Sequence, residues 1–153
     1  MKKIDKKTLC FSLVQITFSL IYVILGCLPN AIRMNFFGGF VEYHPYFSMF
    51  PYGYGNIFAL YMEICAMITI VFAIVAIFVN KKFFRYAPTF LAFIILIFNG
   101  VELVFSATAI NFAMLGISIA HAICALAIAI LNKRTDKQAK VQTANVEQTQ
   151  DEQ

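Results

Sequence analysis

Apolar residues run almost unbroken from Thr8 to Leu28, again from Ile57 to Val79, and again from Pro88 to Leu131. The first run has 21 residues, about 31 Å as a helix and one bilayer thickness. Pro29 and Asn30 end it. Asn56 is placed to cap the second run. The last run has 44 residues, and at about 66 Å as a helix it is over twice the hydrocarbon thickness, so it must fold back on itself. The polar cluster at 106–111, Ser-Ala-Thr-Ala-Ile-Asn, marks the turn. The pattern predicts four transmembrane helices near 8–28, 56–79, 88–108 and 111–131, with Pro88 in the first turn of the third. Residues 1–131 form one membrane domain. Residues 132–153 are Gln- and Thr-rich with mixed charges, a composition that predicts a disordered tail.

The polar positions inside the runs are also periodic. Thr8, Ser12, Gln15, Ser19, Tyr22 and Gly26 recur at spacings of 4, 3, 4, 3 and 4, one face of a helix. Asn99, Glu102 and Ser106 share a face of the third helix, and Asn111, Ser118 and His121 a face of the fourth. Gly116, Ala120 and Cys124 add a row of small residues that permits close approach. Polar groups are expensive in lipid and so belong inside the bundle. The fold class is therefore an all-α, integral-membrane four-helix bundle.

Composition supports this solvent. Hydrophobic residues make up 61% of the 153, charged residues 13%, and the mean hydropathy is +0.77. A soluble domain is nearer half apolar and a quarter charged. The net charge of +4 is a topology signal. Eleven of the twelve Lys and Arg residues fall in the N-terminal tail, the 80–88 turn and the C-terminal tail, and only Arg33 lies elsewhere. Both termini are expected in the cytoplasm, with residues 29–55 outside. The basic balance needs no nucleic-acid partner. The lipid bilayer is the partner, with a protein partner or a homo-oligomer left open, and a bacterial plasma membrane is the expected location.

The 29–55 loop holds nine aromatics, three prolines and four glycines. The Gly and Pro residues argue against one long helix, and the aromatics against free solvation. The expected arrangement is an aromatic cap over the bundle mouth. Phe47, Phe50 and Tyr54 are the candidate contact surface if this loop binds a partner.

Candidate chemistry lies in the membrane. Glu63 is about 10 Å below the outer start of the second helix, and Glu102 about 10 Å below the turn near 110. Asn99, Ser118 and His121 fall within reach, so Glu63, Asn99, Glu102, Ser118 and His121 can form one outer-half cluster. Two carboxylates in low dielectric cannot both stay ionised cheaply. The cluster suits proton or cation handling, and the same groups also serve as hydrogen-bonded glue between helices. Glu63, Glu102 and His121 are metal-ligand types, but no short ligand motif supports a site, so no metal or cofactor is assigned. No phosphate-cradling loop, GxSxG or HExxH is present, and no enzyme activity is expected.

The four cysteines form no CxxC, which excludes the quinone-coupled disulfide enzymes of similar span number. Small multidrug transporters carry their key Glu in the first span, where this chain has none. Ile24-Leu25-Gly26-Cys27 also resembles a bacterial lipoprotein cleavage site, which would remove the first helix. The preceding apolar run is longer than the usual 7–15 residues of a signal peptide, so a retained span is expected. Two function classes remain. One is a transporter, channel or transport-accessory subunit using the carboxyl cluster. The alternative is a membrane interaction protein (scaffold, immunity factor or complex subunit) acting through the aromatic loop.

Overall fold

Among its described residues the computed structural model contains four helices and one short hairpin, in the order α1 (Lys6–Gly26), β1 (Ile32–Asn35), β2 (Val41–His44), α2 (Tyr54–Phe78), α3 (Lys82–Phe105) and α4 (Ala109–Asp151). The structure describes residues 6–35, 39–48, 54–79 and 81–151, with side chains from 57 onward in α2 and up to 134 in α4. Lys6–Gly26, Ile57–Phe78, Lys82–Phe105 and Ala109–Arg134 are each long and apolar enough to cross a membrane. The chain is thus an all-α multi-pass membrane protein.

α1 packs on α2 and α4, and α3 packs on the same two helices, so the four close a ring around a common axis. One end of the ring carries the hairpin and the α3–α4 turn, here called the loop end. The other carries Lys6, the 79–81 turn and residue 134, the tail end.

The interior is close to half polar. The buried residues of α1 are Thr8, Ser12, Gln15, Ser19, Tyr22 and Gly26, all on one face. Large apolar side chains point the other way, with Leu13 52% exposed, Ile24 62%, Ile97 63% and Val104 81%. Small residues on α2, namely Ala59, Ala66, Ala73 and Ala76, face inward. This is the reverse of a soluble bundle. With hydrocarbon as solvent nothing drives Leu inward, whereas every polar group gains by facing another.

Two boundaries and the interior of the long loop differ from the sequence expectation. α3 starts at Lys82, so Pro88 lies inside the helix rather than in its first turn. The added turn is held by its aromatics, since the Phe83 and Phe84 rings each sit 5.7 Å from that of Phe72 on α2. α4 continues through the expected disordered tail to Asp151. No Gly or Pro interrupts 132–151, and Ala, Lys, Gln and Glu propagate a helix already nucleated by the span. The long loop also contains regular structure. β1 and β2 pair antiparallel with Ile32 opposite His44 and Asn35 opposite Val41. Gly39, at φ 83°, sits in the turn between them, a conformation that favours glycine.

The hairpin is anchored at its base. Ala31, Ile32 and Tyr46 are 0%, 1% and 0% exposed and pack with Tyr22, Met62 and Met114. Its far side is open, with Phe40 72% and Tyr43 52% exposed. The α3–α4 turn docks against it. The Arg33 backbone N–H donates to Ser106 Oγ at 2.6 Å, and Thr108 Oγ1 donates to the Ala31 carbonyl at 3.1 Å. Thr108 also caps α4 by accepting the Asn111 N–H at 3.0 Å.

Candidate functional site: a buried carboxyl pair on the bundle axis

Helical spacing builds the site from each element in turn. On α3, Asn99 and Glu102 stand three residues apart on the buried face, and both are 0% exposed. On α2, Glu63 shares the inward face with Met62 and Ala66 and is also fully buried. α1 contributes Tyr22 and Gly26 from its polar seam. The loop contributes Tyr46, tied down by its backbone N–H, which donates to the Gly26 carbonyl at 2.8 Å.

Gly26 makes room for Glu63. A Cβ at position 26 would overlap Oε1 of that carboxylate and come within 2.6 Å of its Cδ. Both carboxyls lie within electrostatic reach of the Tyr22 and Tyr46 hydroxyls. The two tyrosine rings meet edge to face at 6.5 Å. Burial, then Glu102, then Glu63 push the Tyr46 phenol well above its ordinary value near 10.

The hydrogen-bond ledger of this chamber is one-sided. Tyr22 donates its hydroxyl proton to Met62 Sδ at 3.1 Å and accepts from Asn99 Nδ2 at 2.9 Å. Tyr46 donates to Asn111 Oδ1 at 2.8 Å, and Asn111 Nδ2 donates to the Ser106 carbonyl. Both tyrosine hydroxyl protons thus go to groups other than the carboxyls. Both oxygens of Glu63, both oxygens of Glu102 and Oδ1 of Asn99 have no partner. A buried acceptor without a donor is costly, so these groups call for protons or another donor-rich species.

The five residues read from the sequence as one cluster occupy three settings. Glu63, Glu102 and Asn99 gather around Tyr22. His121 lies nearer the tail end, donating from Nε2 to Gln15 Oε1 at 2.5 Å and stacking on Phe18 at 5.4 Å. Ser118 is buried, but its hydroxyl donates to the Leu115 carbonyl of its own helix at 2.9 Å. Of the loop aromatics, Phe47 is half-buried, while Phe50 and the Tyr54 side chain lie outside the described residues.

Tyr46 was not separable in the sequence from the other eight loop aromatics. The pairing of Gln15 with His121 was also unread, although both positions stood on polar stripes. Among the described residues no group of three or more His, Cys, Asp and Glu can hold a metal ion. All four cysteines are free thiols.

A further polar feature lies at the tail end. A small cavity of about 20 Å³ opens between the four helices, with Thr8, Ser12, Gln15, Arg85 and Asn132 among its lining residues. That is room for a water molecule. No protein family, no curated protein and no solved structure matches this chain.

Proposed function

We propose that the chain is a small transport protein (a transporter, channel or transport-accessory subunit) in which the Glu63–Glu102 pair takes up protons or a small cation. The observation that carries this reading is the set of five buried, unpartnered acceptors on the bundle axis. Structural glue would satisfy these oxygens, because an unmet acceptor in a dry core gives up the stability the bond supplies. A site that loads and unloads a positive species must keep them available. Two fully buried carboxyls that both face Tyr22 and Tyr46 are also costly to keep ionised together, which favours uptake of a proton.

In this reading both termini are cytoplasmic, as eleven of the twelve cationic residues cluster with the tail end. The loop end then faces outward from a bacterial plasma membrane. The test is a proteoliposome flux assay. Glu102→Gln keeps the shape of the side chain and removes its charge, and should abolish flux while the bundle stays folded. Equal flux in wild type and Glu102→Gln would end the transport reading.

A second reading is a membrane interaction protein acting through the outer loop. It is favoured by the exposure of Phe40 and Tyr43 on the hairpin, since aromatics dominate protein contacts. A pull-down on the same variants separates the two. An interaction protein loses its partner when loop aromatics are replaced and is indifferent to Glu102→Gln.

A further inference from the structure

We infer that protons reach the Glu63–Glu102 pair from the tail end of the bundle, along the polar seam of α1, while the hairpin keeps the loop end shut. This rests on the proposed role of the carboxyl pair and adds the species, the route and its direction.

The two ends of the site differ in how their polar groups are used. Toward the loop end, each polar group near the pair already has a partner on another element. Tyr46 bonds Gly26 and Asn111, Arg33 bonds Ser106, and Thr108 bonds Ala31. Ile32, Met62 and Met114 fill the space around them, all at 0–1% exposure. Among the described residues, no buried side-chain polar atom on that side lacks a partner.

Toward the tail end, three buried polar atoms on the way remain available. Gln15 Nε2, Ser19 Oγ and Asn99 Oδ1 are buried and unpartnered. They lie on the way from the tail-end cavity, which Gln15 lines, to the carboxyl level, where Gly26 meets Glu63. From Gln15 to Gly26 is about 16 Å along the helix, with Ser19 and Tyr22 between. Successive groups on such a face stand about 5–6 Å apart. One water donating to one group and accepting from the next spans about that distance.

The seam therefore suits a short file of waters that passes a proton by exchange. At the upper end a water O–H breaks, an O–H forms on a Glu63 or Glu102 oxygen, and the water recovers a proton from its neighbour below. The titratable groups facing the pair are Tyr22 from α1 and Tyr46 from the loop, besides the carboxyls of α2 and α3. α4 offers Asn111 at that level. His121, on α4, stands beside the seam at Gln15, and Arg85, on α3, stands at its mouth.

The test uses the full chain in liposomes, with orientation scored by trypsin cleavage of the tail at Lys133. The two compartments are buffered separately. A hydrophobic carbodiimide, which reacts with protonated carboxyls, is added, and labelling of Glu63 and Glu102 is read by peptide mass spectrometry. Labelling should follow the pH of the tail compartment and ignore that of the loop compartment. Gln15→Leu with Ser19→Ala should slow that response at least tenfold. Asn111→Ala, which frees the Tyr46 hydroxyl, should admit a dependence on the loop compartment. Labelling that follows the loop compartment, or both compartments equally, in the unmodified protein overturns the route while leaving the carboxyl pair as the proton site. Labelling that ignores pH on both sides overturns the route and the proposed function together.

Discussion

Gly26→Ala tests whether the position of the Glu63 carboxylate is set by α1. The added methyl would occupy space now held by Oε1. The helix cannot simply back away, because the Gly26 carbonyl accepts the Tyr46 N–H and so ties α1 to the loop. Glu63 must swing instead, in a chamber where it is 0% exposed. Overpacking of this kind costs about 1–3 kcal/mol. Against it stands a gain of at most about 0.5–1 kcal/mol for Ala over Gly, the value for a helix interior, since Gly26 is the last residue of α1. The backbone adds no penalty, as Gly39 is the only described residue at positive φ. The net expectation is destabilisation by about 1–2 kcal/mol, taking the two effects together. In a Glu63→Ala background the obstruction is gone, and the same change should stabilise by at most about 0.5–1 kcal/mol. Reversal of sign between backgrounds is the signature, read as a double-mutant cycle. Reversible SDS unfolding followed by far-ultraviolet circular dichroism suits a chain with no Trp. An equal penalty in both backgrounds would refute the close approach of Gly26 to the carboxylate.

Three further outcomes follow from the same geometry. Glu63→Gln and Glu102→Gln should be non-additive in stability by about 0.5 kcal/mol or more, since both face Tyr22 and Tyr46; strict additivity would indicate two separate contacts. Tyr46→Phe should destabilise by about 1–3 kcal/mol at neutral pH, because Asn111 Oδ1 loses its donor. The raised Tyr46 phenol also contributes stability that is present below its ordinary value near 10 and declines as pH rises above it, so the variant should lose less stability between neutral and strongly alkaline pH than wild type. In a background without native cysteines, a single cysteine at position 42 should label from outside intact cells and cysteines at 83 and 137 should not, and outside labelling at 83 would reverse the proposed orientation.

Much of the architecture was readable from the chain because lipid leaves few options. Runs long enough to span must be helices, since no water is present to satisfy the backbone otherwise. The seam of α1 was visible as a rhythm of Thr, Ser, Gln and Tyr, and those residues are the buried ones. What the rhythm could not convey was pairing across helices. Level along the axis put His121 near Glu102, whereas rotation of α4 turns it to Gln15 on α1. Pro88 was a poor boundary because the aromatic contacts of Phe83 and Phe84 extend α3 past it. Tyr46 was hidden by its neighbours: nine loop aromatics are alike in sequence, and the bonds that take Tyr46 into the interior, to Gly26 on α1 and Asn111 on α4, form only in the fold.

The inverted arrangement of this bundle changes how its sequence responds to mutation. On α1, exchanges among Leu, Ile, Phe and Val at the lipid-facing positions alter little, because hydrocarbon accepts any of them. A change as slight as Ser19→Val puts methyl groups where the axis needs a hydroxyl. A variant library scored for growth or fluorescence should show tolerance at the most hydrophobic positions and intolerance at the mildest polar ones. The residues that a soluble protein would display to water are here the ones that set which four-helix arrangement forms, because only one rotation of each helix brings them all together.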